Sequence, residues 1–336
     1  MSRDPSTVLW LIDAFRGSKA MFTAVALGVF DRLQSRADTA ERVAEEIGAD
    51  PGALERLLDA CAGLGLLEKC QGSYRNAPPA TEFLCRSSPT SLAGYVLYSD
   101  SALYPMWADL EGAVREGSHR WERTFGAAAP IFSHFFRTEE AKRDFISGMH
   151  GFGLLSSPAV VAAFDLSRFR RLADLGGATG HLALAACDRY PDLRCVVFEL
   201  PEVVALGRDY VGRSPHPGRI EIVAGDFFRD PLPVADLYAL GRILHDWRED
   251  MIQLLLRRVF ESLPSGGAIL LAEKLLSEDK TGPLPALLQS LNMLVCTEGR
   301  ERTIAEYASL LQNAGFSEVE GRWTGAPLDA VLAVKR

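Results

Sequence analysis

One histidine stands where reactive side chains of α/β proteins are placed. The run Gly241-Arg242-Ile-Leu-His245-Asp246-Trp247 follows Asp236-Leu-Tyr-Ala-Leu, which has the length and pattern of a buried strand, and ligands bind beyond the carboxyl ends of such strands. An imidazole titrates near neutrality, so His245 can take a proton from a hydroxyl and is the candidate general base. Carboxylates that could orient it and stabilise its charged form are Glu273, which ends Ala268-Ile-Leu-Leu-Ala-Glu273, and Glu298 and Glu301 in Thr297-Glu-Gly-Arg-Glu-Arg-Thr303. The same glutamates equally fit pairing with Arg300 and Arg302, or the cap of a helix starting at Thr303. His150, within Gly148-Met-His-Gly151, reads first as a packed histidine and second as a substrate contact.

A second constellation precedes the histidine in the chain. Arg171-Leu-Ala-Asp-Leu-Gly-Gly-Ala-Thr-Gly-His reads as a strand, a glycine turn and the start of a helix. Glycines there admit backbone angles closed to other residues and let a ligand approach the main chain. The spacing is DLGGATG rather than GxGxxG, and no P-loop lysine follows, so the turn suits a nucleoside without a phosphate chain. Asp174 lies in that strand, Glu199 ends the next apolar run after Cys195-Val-Val-Phe, and Asp226 follows Ile220-Glu-Ile-Val-Ala-Gly225. Any one of the three could be a helix cap. All three together converge on one edge of a parallel sheet.

The elements that must position these groups alternate from Arg171 onward, as a doubly wound sheet requires. Five strands end at the runs just named, and two more are expected near Phe316–Val319 and Ala330–Val334. Earlier in the chain, residues 6–33 carry apolar positions at helical spacing with Gly17 and Gly28 as expected breaks. Thr39 and Asp50-Pro51 start two short helices, and Leu66–Asn76 alternates around Gln71-Gly72 as a hairpin. Helix, helix and hairpin make a winged-helix pattern. The second helix offers only Arg56 against Glu55 and Asp59, so this module reads as a dimerisation element rather than a DNA reader. Residues 78–165 are rich in aromatics, including Tyr98, Trp107, Trp121 and Phe136, which would pack a helical cap and line part of a pocket. The expected division is a first domain over 1–165 and a second over 166–336.

Composition narrows the classes. A chain of 336 residues with 48% hydrophobic content can bury one large core or two ordinary ones. A net charge of −8 and the absence of a basic run give no footprint for nucleic acid. No apolar run is expected to reach membrane-spanning length, and Met-Ser-Arg-Asp-Pro lacks the pattern of a signal peptide, so a cytoplasmic location is expected. Six scattered cysteines without a CxxC pair read as reduced thiols, and sparse histidines leave little for a metal site.

Taken together, DLGGxxG, an acidic end to the second strand, GDFF, LHDW and GxERT resemble the class I S-adenosylmethionine-dependent O-methyltransferases of the hydroxyindole/caffeate type. The resemblance covers nearly the whole chain. Gly225-Asp-Phe-Phe228, Asp230-Pro-Leu-Pro233, Arg242–Trp247 and Ser290-Leu-Asn-Met-Leu-Val295 are most similar to the acetylserotonin branch. It implies an α/β fold: a C-terminal doubly wound Rossmann-like sheet behind an N-terminal all-α winged-helix domain that forms a homodimer. It also implies methyl transfer from S-adenosylmethionine to a small-molecule hydroxyl, leaving S-adenosylhomocysteine. By the resemblance, Glu199 holds the ribose, Asp226 and Phe227 bracket the adenine, and Asp174, Gly176, Gly177, Gly180 and Gly225 shape the seat, with Arg242 at its border. His245 is the base between Glu273 and Glu301, and Asp246 and Asn292 touch the acceptor.

This chain departs from the branch at Glu199, where the branch has the shorter Asp, and at four further places. Ala178 replaces a glycine, a change tolerated if its φ is negative; Phe136 replaces a tyrosine, Gly153 a tryptophan, and Cys296 a substrate-contacting glutamine. Cofactor positions are kept while pocket positions change. Two other readings remain open here. One is S-methylation of a small thioether acid, which needs no base and would use Arg242, Asn292 and His150 to hold a carboxylate. The other is a non-catalytic cofactor-binding regulator.

Overall fold

The caps foreseen in the sequence start the helices of the N-terminal region. In the computed structural model, which describes residues 4–126 and 131–336, Thr39 Oγ1 accepts from Arg42 N and Asp50 Oδ1 accepts from Ala53 N at 2.7 Å. These open helices α2 (Ala40–Ile47) and α3 (Pro51–Gly63). Before them α1 (Ser6–Ala26) runs straight through Gly17, contrary to the expected break. A Cβ at Gly17 would lie 3.3 Å from Leu64 Cδ2, so this glycine serves close packing instead. The break comes at Gly28, whose φ of 72° ends the helix. Strands β2 (Leu67–Cys70) and β3 (Ser73–Asn76) pair antiparallel across Gln71 and Gly72, both in the left-handed region as a type I′ turn demands. A two-residue strand β1 (Asp38–Thr39) joins β3, so the region is helical but not all-α.

The chain divides into two compact units elsewhere than at residue 165: one is Met1–Pro105 with Thr138–Gly151, the other Met106–Arg137 with Phe152–Arg336. Residues 106–126 belong with the second unit because Trp107 and Trp121 donate their indole N–H groups to Asn292 Oδ1 and the Cys296 carbonyl. The helix α4 (Glu139–Ala162) contributes to both units and corrects one expectation, since by length and composition it could cross a membrane. Its glycines pack closely against neighbouring elements. A Cβ at Gly148 would lie 2.6 Å from the Tyr95 backbone nitrogen, and one at Gly153 would overlap the His181 ring.

The second unit is built on a seven-stranded sheet ordered β11-β12-β8-β7-β4-β5-β6. Strands β4 (Arg171–Leu175), β5 (Arg194–Glu199), β6 (Ile220–Ala224), β7 (Leu237–Gly241) and β8 (Ala268–Glu273) run parallel, and β11 (Ser317–Arg322) and β12 (Asp329–Val334) close the sheet antiparallel. Helices α5 (His181–Arg189) and α6 (Pro201–Gly212) cover one face, and α7 (Glu249–Ser262) and α9 (Ile304–Asn313) the other. Both faces are therefore apolar, and each fully buried Leu, Ile or Val adds about 1.5–3 kcal/mol. The strand order reverses between β4 and β7, which makes the turn after β4 the topological switch point. A short parallel pair unseen in the sequence, β9 (Leu275–Leu276) with β10 (Arg302–Thr303), pins the segment carrying Glu301 beside the end of β8.

Candidate active site

The glycine turn after β4 forms a seat lined by backbone. Gly176 and Gly180 have φ of 70° and 76°, and a Cβ at Gly176 would lie 2.6 Å from Ile243 Cδ1 and 3.4 Å from Phe227 Cε1. Gly177 has no room for a side chain because a Cβ would overlap the Asp174 carboxylate, and one at Gly225 would overlap the Phe198 ring. Glu199 closes the seat: its Oε2 accepts from Ala178 N at 2.8 Å and its Oε1 from Leu200 N at 2.7 Å. Burial raises the Glu199 pKa against the pull of those two N–H groups. Asp174 is pushed up to about 7, first by burial and then by the charge of Glu199, and its Oδ2 is buried with no hydrogen-bond partner. Asp226 is more open, with Oδ1 accepting from Phe228 N and Oδ2 3.5 Å from Arg229 Nε. Ala178 does not keep a negative φ; it stands at 49°.

Behind the neighbouring strand ends lies a buried cluster of one histidine and two glutamates. His245, 2% exposed in the short turn Leu244–Asp246, brings Nδ1 within 2.7 Å of Glu301 Oε1 and 3.5 Å of Glu273 Oε2. Glu273 Oε1 accepts from the backbone N–H groups of Ile243 and Leu244, so the carboxylate fixes the loop that carries the imidazole. Burial drives Glu273 up to about 7 and Glu301 to about 8; His245 opposes this at Glu273, and Arg242 and Lys274 oppose it at Glu301. Glu298, the third candidate, points away to Arg248, 3.8 Å distant. His245, Glu273 and Glu301 are also the one group among the described residues with three possible metal ligands within 4.8 Å of one another, where the sequence had led us to expect too few. The short imidazole bond and the two backbone bonds to Glu273 fit proton transfer.

The outer wall combines predicted and unforeseen residues. Asp246 Oδ1 is 3.6 Å from His245 Nε2, and burial lifts this carboxyl to about 6 against the pull of His245 and Arg242. Asn292 and Cys296 share one face of α8 (Leu284–Cys296): Asn292 Oδ1 accepts from Trp107 Nε1 and its Nδ2 donates to Cys296 Sγ at 3.4 Å. Arg242, held at φ 58°, places its guanidinium 4.8 Å from the Phe152 ring centre, and Lys274 Nζ is 5.7 Å from the same ring. Lys274 was missed, although its place directly after Glu273 at a strand end was a usable signal. Phe136 is half-buried in the second unit. His150 belongs to the first unit, where burial drives its pKa down to about 4.

Known proteins agree with this geometry. Residues 107–317 match the O-methyltransferase domain and residues 9–86 the O-methyltransferase dimerisation domain. The acetylserotonin O-methyltransferase of Gallus gallus is 41% identical over 338 residues, covering 98% of this chain and 97% of that protein. A probable bifunctional dTTP/UTP pyrophosphatase/methyltransferase protein of Homo sapiens is 42% identical over 98% of the chain, which spans only 54% of that longer protein. Among solved structures, human N-acetylserotonin methyltransferase in complex with SAM superposes with a TM-score of 0.94 at 38% identity, covering 100% of this chain and 98% of that one. PigF with SAH follows at 0.90 and 30%, each chain covered over 100%. The seat, the histidine cluster and these likenesses agree that the chain belongs to the S-adenosylmethionine-dependent O-methyltransferases that methylate small-molecule hydroxyls.

Proposed function

We propose that His245 is the general base of this O-methyl transfer and that Nε2 is the atom that takes the hydroxyl proton. The carrying observation is the 2.7 Å bond from His245 Nδ1 to Glu301. With Glu301 ionised, Nδ1 carries the proton and Nε2 is left to accept. Both glutamates are held in a site that penalises their charge, and an imidazolium forming between them relieves that penalty. A thioether has no proton to lose, so this apparatus favours a hydroxyl acceptor over the sulfur alternative and over a non-catalytic regulator.

The seat fits S-adenosylmethionine on the structure's own terms. Its backbone surface has no space for a Cβ at Gly177 or Gly225, and the unpartnered Asp174 Oδ2 and the fixed Glu199 carboxylate offer acceptors to hydroxyl and ammonium groups. Glu199 is the ribose ligand in this reading, Asp226 and Phe227 flank the adenine, and Asp174 lies under the methionine portion. When bound, the cofactor supplies an electrophilic methyl carbon on a sulfonium; the chain's part is to align the acceptor, exclude water and remove its proton. Asp246, Asn292 and Cys296 border the acceptor. Because Cys296 and Gly153 replace larger family residues, the acceptor in this reading is a small hydroxylated molecule other than acetylserotonin.

The chain also acts as a homodimer in this reading. Leu9, Trp10, Leu11, Ile12 and Phe15 on α1 are each more than half exposed within the region matching the dimerisation domain, a surface suited to a second copy. The six free cysteines, including Cys187 and Cys195, whose thiols share a hydrogen bond at 3.6 Å, favour a reducing, cytoplasmic setting.

Replacement of His245 by Ala tests the base. Turnover of a phenolic acceptor falls by 10²–10⁴-fold, the range of general-base contributions, while calorimetric S-adenosylmethionine affinity stays within twofold. Unchanged turnover removes His245 from the mechanism.

A further inference from the structure

The sheet edge beside the base carries two cations that proton transfer does not use. The Arg242 guanidinium and the Lys274 ammonium approach one ring, Phe152, at 4.8 and 5.7 Å from its centre. Lys274 is half-buried, and among the described residues its Nζ has no hydrogen bond or ion pair. The Glu301 charge acts on Lys274 only from a distance, because its carboxylate is bonded to His245 Nδ1 at 2.7 Å. Burial, and then the like charge of Arg242, lower the Lys274 pKa, with Glu301 opposing. A half-buried cation without a hydrogen-bonded partner is costly, and the face of one ring compensates by only about 0.5–2 kcal/mol. An anion arriving in the acceptor cavity would remove that cost.

We propose that Lys274, with Arg242 beside it, is a carboxylate subsite for the methyl acceptor, so that the enzyme favours hydroxy acids with the hydroxyl at His245 and the acid group at Lys274. This rests on the reading of His245 as the base, and it makes Lys274 a specificity residue rather than a catalytic one. Two cations at one site can grip a carboxylate that a neutral ester does not present. The preference therefore appears in binding, before any chemistry.

The test uses the full chain saturated with S-adenosylhomocysteine. It is titrated calorimetrically with 4-hydroxybenzoate, 4-hydroxyphenylacetate and 3-(4-hydroxyphenyl)propanoate, and with the methyl ester of each. At least one acid binds the wild type tenfold or more tightly than its ester; Lys274→Met abolishes that ratio and Lys274→Arg keeps it. S-Adenosylhomocysteine affinity in Lys274→Met stays within twofold, which also reports an intact fold. Acids that bind no better than their esters, a preference that survives Lys274→Met, or a tenfold loss of S-adenosylhomocysteine affinity in place of the acid effect would each overturn the subsite; the last would assign the lysine to the cofactor's own carboxylate. Turnover with S-adenosylmethionine separates the two ideas. Acids that bind through Lys274 yet methylate equally well in His245→Ala leave the subsite standing and remove the base.

Discussion

The backbone N–H of Ala178, a residue held at φ 49°, donates to the Glu199 carboxylate at 2.8 Å. An L-residue with a Cβ pays roughly 1–2 kcal/mol for the left-handed region, so the turn holds strain in order to fix the acid that ends β5. Helix α6 tightens the same spot, where a Cβ at Gly207 would lie 2.7 Å from the Ala178 carbonyl. Ala178→Gly removes the strain but loosens the unfolded chain, for a net gain of about 0.5–1 kcal/mol in urea unfolding. Cofactor affinity is unchanged because the donated N–H remains. A loss of stability would show that the turn is relaxed as it stands.

The Glu301–His245 bond ties the rate to pH. In the proposed mechanism Nε2 accepts a proton only while Glu301 is ionised and Nδ1 carries the hydrogen, and burial raises the Glu301 pKa to about 8. The kcat of the wild type therefore falls as pH drops below that value, with an apparent pKa that belongs to the histidine–glutamate unit. Glu301→Gln keeps an acceptor oxygen but no charge. Its kcat is about ten- to a hundredfold lower and its acidic limb moves, while KM for S-adenosylmethionine holds. A limb identical to that of the wild type would place the titrating group elsewhere.

The same burial makes stability fall with pH. Glu273 and Glu301 release their protons near 7 and 8 when folded but at the ordinary glutamate value of 4.5 when unfolded. Between those limits the folded chain holds protons that the unfolded chain has lost, so the cluster's stabilisation is complete below about 4.5 and is lost as pH rises through 7–8. Glu273→Gln and Glu301→Gln gain stability relative to wild type over that window, by on the order of 1 kcal/mol or more at its upper end. Thermal melts at pH 5 and 8.5 measure the difference. Parallel shifts of all three proteins would mean that these carboxyls stay ionised.

Much of this architecture was legible because local rules and tertiary context agreed. Asp50-Pro51, Thr39 and Gln71-Gly72 carry their caps and turn in their own covalent structure, and the five parallel strands announce themselves as apolar runs, two of which, β5 and β8, end in glutamates. Gly17 misled because a glycine can serve packing as well as a break, and only the position of Leu64 decides which. The division at residue 165 missed the indole bonds of Trp107 and Trp121 to α8, which join residues far apart in sequence. Lys274 escaped for a similar reason: a lysine after a strand looks like a solvated end until Phe152 and Arg242 are seen beside it. Gly153 was legible only as a missing tryptophan; the structure shows the His181 ring, held 2.8 Å from Ser157 Oγ, filling the place of its Cβ.

Gly177 gives the sharpest separation between folding and cofactor binding. Its φ is not left-handed, so alanine fits the backbone there, yet the new methyl would overlap the Asp174 carboxylate. Asp174 is 1% exposed, carries an unpartnered Oδ2 and has little room to rotate away, so the carboxylate must shift from the position in which it faces the seat. Gly177→Ala should lower S-adenosylmethionine affinity by tenfold or more in calorimetry while costing about 1–3 kcal/mol of stability from overpacking. Asp174→Asn combined with Gly177→Ala then costs less affinity than the sum of the two single changes, because both act through one side chain. Additive losses would show that the glycine serves the ligand directly, through its backbone, and not through the aspartate.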